Sequence, residues 1–115
     1  MSWREEMRRE LARALDAEQA GNAGRVRTCA RRAIGIAITE WQRRDTAVRY
    51  GPDFLRQLMG LADDRATPVE VQNAATRLGA KLSEDFEARS KEPLQDARIV
   101  LRHILERMGE SADPN

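Results

Sequence analysis

The sequence predicts an all-α domain, an antiparallel bundle of four long helices plus one short helix. Three observations predict it. Sustained alternation of apolar and polar residues is absent from the 115 residues, so nothing reads as a strand. Apolar residues recur instead at three- and four-residue spacing in several separate stretches. Strong start and stop signals divide those stretches: Ser2, Gly21-Asn22-Ala23-Gly24, Tyr50-Gly51-Pro52-Asp53, Thr67-Pro68-Val69-Glu70 and Pro93.

The first helix is expected from about Trp3 to Ala20. Ser2 and Glu5 form a capping box at its start, and Trp3, Met7, Leu11, Ala14 and Leu15 make one stripe. Gly21 can end it, and a turn as short as Gly21–Gly24 folds the next helix back antiparallel. The second helix, about Arg25 to Arg44, begins basic and polar, then turns apolar all round from Ala33 to Ile38. Val26, Ala30, Ala33, Ala37 and Trp41 form its main stripe, a pattern suited to the centre of a bundle. A short helix from Pro52 to about Ala62 carries Phe54, Leu55, Leu58, Met59 and Leu61. Thr67 as N-cap and Pro68 in the first turn open a helix through Val71, Ala75, Leu78, Leu82 and Phe86 to about Arg89. Pro93 starts the last helix, in which Leu94, Ala97, Leu101, Ile104 and Met108 keep a 3-4 rhythm. Residues 1–109 therefore read as one helical-bundle domain and 110–115 as a disordered tail.

The 20 basic and 19 acidic residues nearly cancel, giving a net charge of +1 and no global field toward nucleic acid or anionic membrane. All basic residues but Lys81 and Lys91 are arginine, a bias that codon usage explains more simply than phosphate binding does. Residues 1 to 15 alternate charge and hydrophobicity like no signal peptide, and no apolar run has the length of a membrane span. Cys29 is the only cysteine, which excludes an internal disulfide and a cysteine-rich zinc site. With a single histidine as well, no metal and no cofactor is expected. These features predict a soluble, cytoplasmic chain.

Two surfaces stand apart from the core stripes. Ile99 lies nearly opposite the stripe of the last helix, beside His103 one turn on. Gly35, Ile36 and Ile38 lie about 100° or more from the stripe of the second helix. Neighbours within one chain can bury these residues. Alternatively Gly35 lets a second subunit approach and the two apolar surfaces meet at a two-fold axis. Both explanations stand at this level. Asp63-Asp64 and Glu84-Asp85-Glu87 read as solvated acidic faces rather than cation sites. Arg8-Arg9-Arg13 and Arg25-Arg27-Arg31-Arg32 offer charge for phosphate, but no aromatic platform accompanies them. Cys29 reads as a small buried core residue.

Trp3 at the opening of the first helix, the Gly-Asn turn, the run from Cys29 to Ile38 and the run from Pro93 to Leu101 resemble HEPN-type helical bundles. The resemblance spans about residues 3 to 108. It implies a bundle of four or five helices, often dimeric, in a family whose members are often RNases or act beside nucleotidyltransferases in toxin–antitoxin and defence systems. It further implies a catalytic pair, Arg98 and His103 in the last helix, with two copies meeting across a dimer. The imidazole would then act as general acid or base and the guanidinium would stabilise developing charge. Ile99 departs from the polar residue that usually follows the family's arginine. Arg98 and His103 also lie about 140° apart on a regular helix, so a single chain does not focus them on one atom. The expected function is a non-catalytic dimeric interaction module, its protein partner encoded nearby. The alternative is a metal-independent ribonuclease with a composite Arg98/His103 site and RNA as its partner.

Overall fold

The computed structural model describes residues 1–80 and 90–115. Five helices lie among them: α1 (Trp3–Gln19), α2 (Ala23–Arg44), α3 (Phe54–Asp63), α4 (Val69–Gly79) and α5 (Pro93–Arg107). No strand occurs among the described residues, so the all-α class holds. Three of the helices are long, whereas α3 and α4 run for 10 and 11 residues. The expected continuation of the fourth helix through Leu82 and Phe86, and the Glu84-Asp85-Glu87 cluster, lie outside the described residues.

Local chemistry sets the helix ends. Ser2 Oγ accepts the Glu5 amide at 3.1 Å and starts α1 as expected. Gly21 adopts φ +74°, the left-handed conformation that ends α1 and lets the Asn22 amide reach the Ala17 carbonyl at 2.8 Å. Helix α2 begins two residues before the expected Arg25, because Asn22 Oδ1 accepts the Arg25 amide at 3.1 Å. In α3 the cap is Asp53, accepting from Arg56, so the helix starts after Pro52. Thr67 does not cap α4. Pro68 occupies that position in an extended conformation without a side-chain bond, and Thr67 is buried with its hydroxyl toward Tyr50.

The helices pair as two antiparallel hairpins. At one end of the first, Arg44 of α2 stacks over Trp3 of α1 at 5.6 Å. In the second, Gln72 Nε2 donates to the Asp64 carbonyl at 2.7 Å near the turn, while Leu55 lies opposite Gly79 at the far end. Helix α5 breaks the expected antiparallel rule. Its start, Pro93, adjoins Asn22 and Val26 at the start of α2, and His103 near its end adjoins Trp41 near the end of α2. The two therefore run in the same direction, which the long connection through α3 and α4 permits. Ala33, Ile34 and Ile38 of α2 and Leu101, Ile104 and Leu105 of α5 are fully buried at the centre, with Met7, Leu58, Leu61 and Leu78 around them.

Arginines close the polar seams. Arg31 donates from Nε to the Leu78 carbonyl at 2.6 Å and from Nη2 to the Ala80 carbonyl at 3.2 Å. These carbonyls lie at the end of α4 and have no helical partner among the described residues. Arg27 Nη2 donates to the Ser90 carbonyl at 2.8 Å. Arg77 grips the buried Asp96 with two bonds of 3.0 and 2.8 Å, and Ser90 Oγ donates to the same carboxylate at 2.6 Å. Arg27 and Arg31 are thus bound to backbone, not aimed outward at phosphate. In α1 the stripe is rotated from the expected one: Leu15 is exposed, while Glu10 is buried and paired with Arg13 at 2.9 Å. In the tail, Glu110 pairs with Arg44 at 3.4 Å and Pro114 is buried.

Candidate binding cleft at His103

The expected dimer face divides in two. Ile38 is fully buried within the chain. Gly35 is covered by α3, since a Cβ on it would lie 1.9 Å from Cδ1 of the Phe54 ring. The glycine therefore serves a close crossing of α2 and α3, and the expectation that Gly35 and Ile38 meet a second subunit is corrected: the chain covers both itself. Ile36 and Ile99 are partly buried and pack on the same core.

Arg98 and His103 also part company. Arg98 is partly buried, and its Nε is enclosed without a hydrogen-bond partner among the described residues. It does not line the space that His103 faces. That space is a cavity of about 190 Å³ between the end of α2, the 45–50 segment, the 64–67 linker and the end of α5. Its walls bring together Trp41, Asp45, Tyr50, Asp64, His103 and Arg107. The fold explains the gathering. Parallel α2 and α5 set Trp41 and His103 side by side, their rings edge to face at 6.2 Å. Gln42 Oε1 accepts the amides of Tyr50 and Gly51 at 2.8 and 3.1 Å, which folds the 45–51 segment back over α2. Tyr50 then packs edge-on against Trp41 at 5.7 Å and reaches the α3–α4 linker, donating to Asp64 Oδ2 at 2.6 Å.

Each titratable group is shifted by its surroundings. Burial, and then the hydrogen bond to Asp64, push the Tyr50 phenol up to about 12, so it remains a protonated donor. The same bond, followed by the Ala66 amide, holds the Asp64 carboxyl below the usual carboxylate range. Burial and then the Arg107 charge pull His103 below its ordinary value of 6.5. Neither ring nitrogen of His103 makes a hydrogen bond to a described residue, and Arg107 makes no ion pair with one. The cleft thus offers a neutral imidazole, a free guanidinium, a carboxylate with spare lone pairs and an aromatic wall. No group of three metal-ligating side chains exists among the described residues.

The depressed His103 gives a pH signature. Its unfolded form binds a proton more readily than its folded form, so its contribution to stability is whole above about pH 6.5 and is lost as pH falls toward the folded value. Carboxylate losses come lower: Arg43 and Arg44 hold Glu40 at about 2, so its contribution fades only below about pH 4.5. Denaturant unfolding of wild type and His103→Gln between pH 7.5 and 5, a range chosen to bracket about 6.5, should show a stability loss in wild type alone. Equal slopes in both would exclude His103 as the cause.

Sequence reasoning found His103 and missed its company. Tyr50 and Asp64 sit in segments read as a chain break and a polar linker, and nothing local marks them as facing each other. Arg107 was legible only by its place one turn beyond His103. Cys29 meets its expectation: it is buried, and burial followed by the Glu10 charge raises its thiol, leaving it unreactive. Comparison of the chain with family models, with curated proteins and with solved structures finds no match in any of the three.

Proposed function

We propose that the protein is a non-catalytic interaction module of HEPN-like type, working as a homodimer in a reducing cytoplasm with a protein partner encoded nearby, as in toxin–antitoxin pairs. The observation that carries this reading is the apolar surface of α3. Met59 is 54% exposed and Phe54 38% exposed, although both belong to a helix whose Leu58 and Leu61 are fully buried. Met59 shares a flank with the half-covered Leu55 and Ala62, so the exposure is a patch rather than a lone side chain. That patch takes over the role first expected of Gly35 and Ile38. The ribonuclease alternative has less support, because Arg98 lies outside the cleft of His103.

Sedimentation of the wild type at about 100 μM should give twice the chain mass, the concentration being far above the Kd of a specific apolar contact. Met59→Glu should be monomeric and still melt cooperatively, since the side chain is exposed in the single chain. Its melting temperature should no longer depend on protein concentration as the dimer's does. A monomeric wild type would overturn the dimer. Single-stranded RNA incubated with the purified dimer in metal-free buffer should stay intact. Cleavage that disappears in His103→Ala would establish the ribonuclease instead.

A further inference from the structure

The cleft at His103 holds charges of both signs that do not meet. Arg107 is near enough to affect Asp64, Tyr50 and His103, yet it closes to an ion pair with no described carboxylate. Asp64 uses one lone pair of each oxygen, on Tyr50 at 2.6 Å and on the Ala66 amide at 2.9 Å, and keeps others free. The carboxylate of Asp45, an exposed lining residue, accepts the Ala47 amide at 3.0 Å and no other donor among the described residues. The neutral His103 presents one donor and one acceptor without a protein partner among the described residues.

We infer that this cleft binds a small zwitterion of the α-amino acid type, its carboxylate on Arg107 and His103 and its ammonium on Asp64 and Asp45. A free anion such as phosphate would satisfy Arg107 but face two carboxylates against one guanidinium. A simple cation would leave Arg107 unpaired and repelling it. A zwitterion answers both signs of charge at once. The volume agrees. About 190 Å³ holds the place of roughly six waters at ~30 Å³ each, room for a small branched side chain against Trp41 and Val48. The inference stands apart from the dimer proposed above, because the cleft and the α3 patch share no residue.

The probe is L-valine, set against isovalerate, which lacks its ammonium, and isobutylamine, which lacks its carboxylate. Amide chemical shifts of Ala66 and Thr67 report occupancy of the cleft, even for Kd values near 1 mM (about −4 kcal/mol). Valine should shift these amides saturably, and each half-probe should bind about tenfold or more weakly. Arg107→Gln and Asp45→Asn should each weaken valine about tenfold or more while keeping the melting transition, both residues being exposed. No shift with valine up to about 10 mM overturns the inference. So does isobutylamine or isovalerate binding as well as valine, or either variant binding like wild type.

Discussion

Aspartate at Ala33 or Leu101 should leave the chain without a cooperative fold at neutral pH. Both positions are fully buried, at the middle of α2 and of α5, where the two helices form the centre of the molecule. A carboxylate there has no partner, so it must either stay charged at a cost of several kcal/mol or take up a proton. At Leu101 the lost leucine adds about 2–5 kcal/mol, and at Ala33 the larger side chain adds overpacking of about 1–3 kcal/mol. Those sums meet the whole stability of a domain this size, about 5–15 kcal/mol. Leu101→Ala is the companion variant: it should fold and lose only about 2–5 kcal/mol. Circular dichroism decides the matter. Full helicity and an ordinary melt in either aspartate variant would refute the central placement of that helix.

What could be read from the sequence was whatever depends on neighbours along the chain. Ser2, Gly21 and Pro93 mark helix ends through bonds or conformations within a few residues, and all three hold. The 3-4 spacing of Leu94, Ala97, Leu101 and Ile104 reports a buried face whatever covers it. Spacing does not say what lies across that face. Gly35 looks the same whether a second chain or the Phe54 ring fills the missing Cβ, and only the fold of α3 onto α2 decides. The direction of α5 escaped for a similar reason: short turns imply antiparallel neighbours, but α5 reaches α2 through two intervening helices. The cleft was the least legible feature. Its histidine stands out as unique, whereas Trp41, Tyr50 and Asp64 come from three segments that Gln42 and the Tyr50–Asp64 bond draw together, and His103 joins them because α2 and α5 run parallel.

Trp41→Ala should lower stability by about 3–5 kcal/mol and erase the acid-sensitive part of it. Trp41 is buried near the end of α2, and its ring is the shared surface on which Tyr50 and His103 both rest. Removing it takes away the largest apolar wall of the cleft and leaves a void the size of an indole. Burial is also the first cause of the His103 shift, so admitting water there returns the imidazole toward its ordinary value. Folded and unfolded forms then bind protons alike, and stability between about pH 7.5 and 5 flattens. Denaturant unfolding at several pH values reads both effects from one protein. Trp41→Phe keeps an aromatic wall, so it should lose less stability and retain the slope. A loss in Trp41→Ala below about 1 kcal/mol would mean that Tyr50 and His103 are held by other contacts. An unchanged slope would mean that the shift of His103 comes mainly from the Arg107 charge rather than from burial.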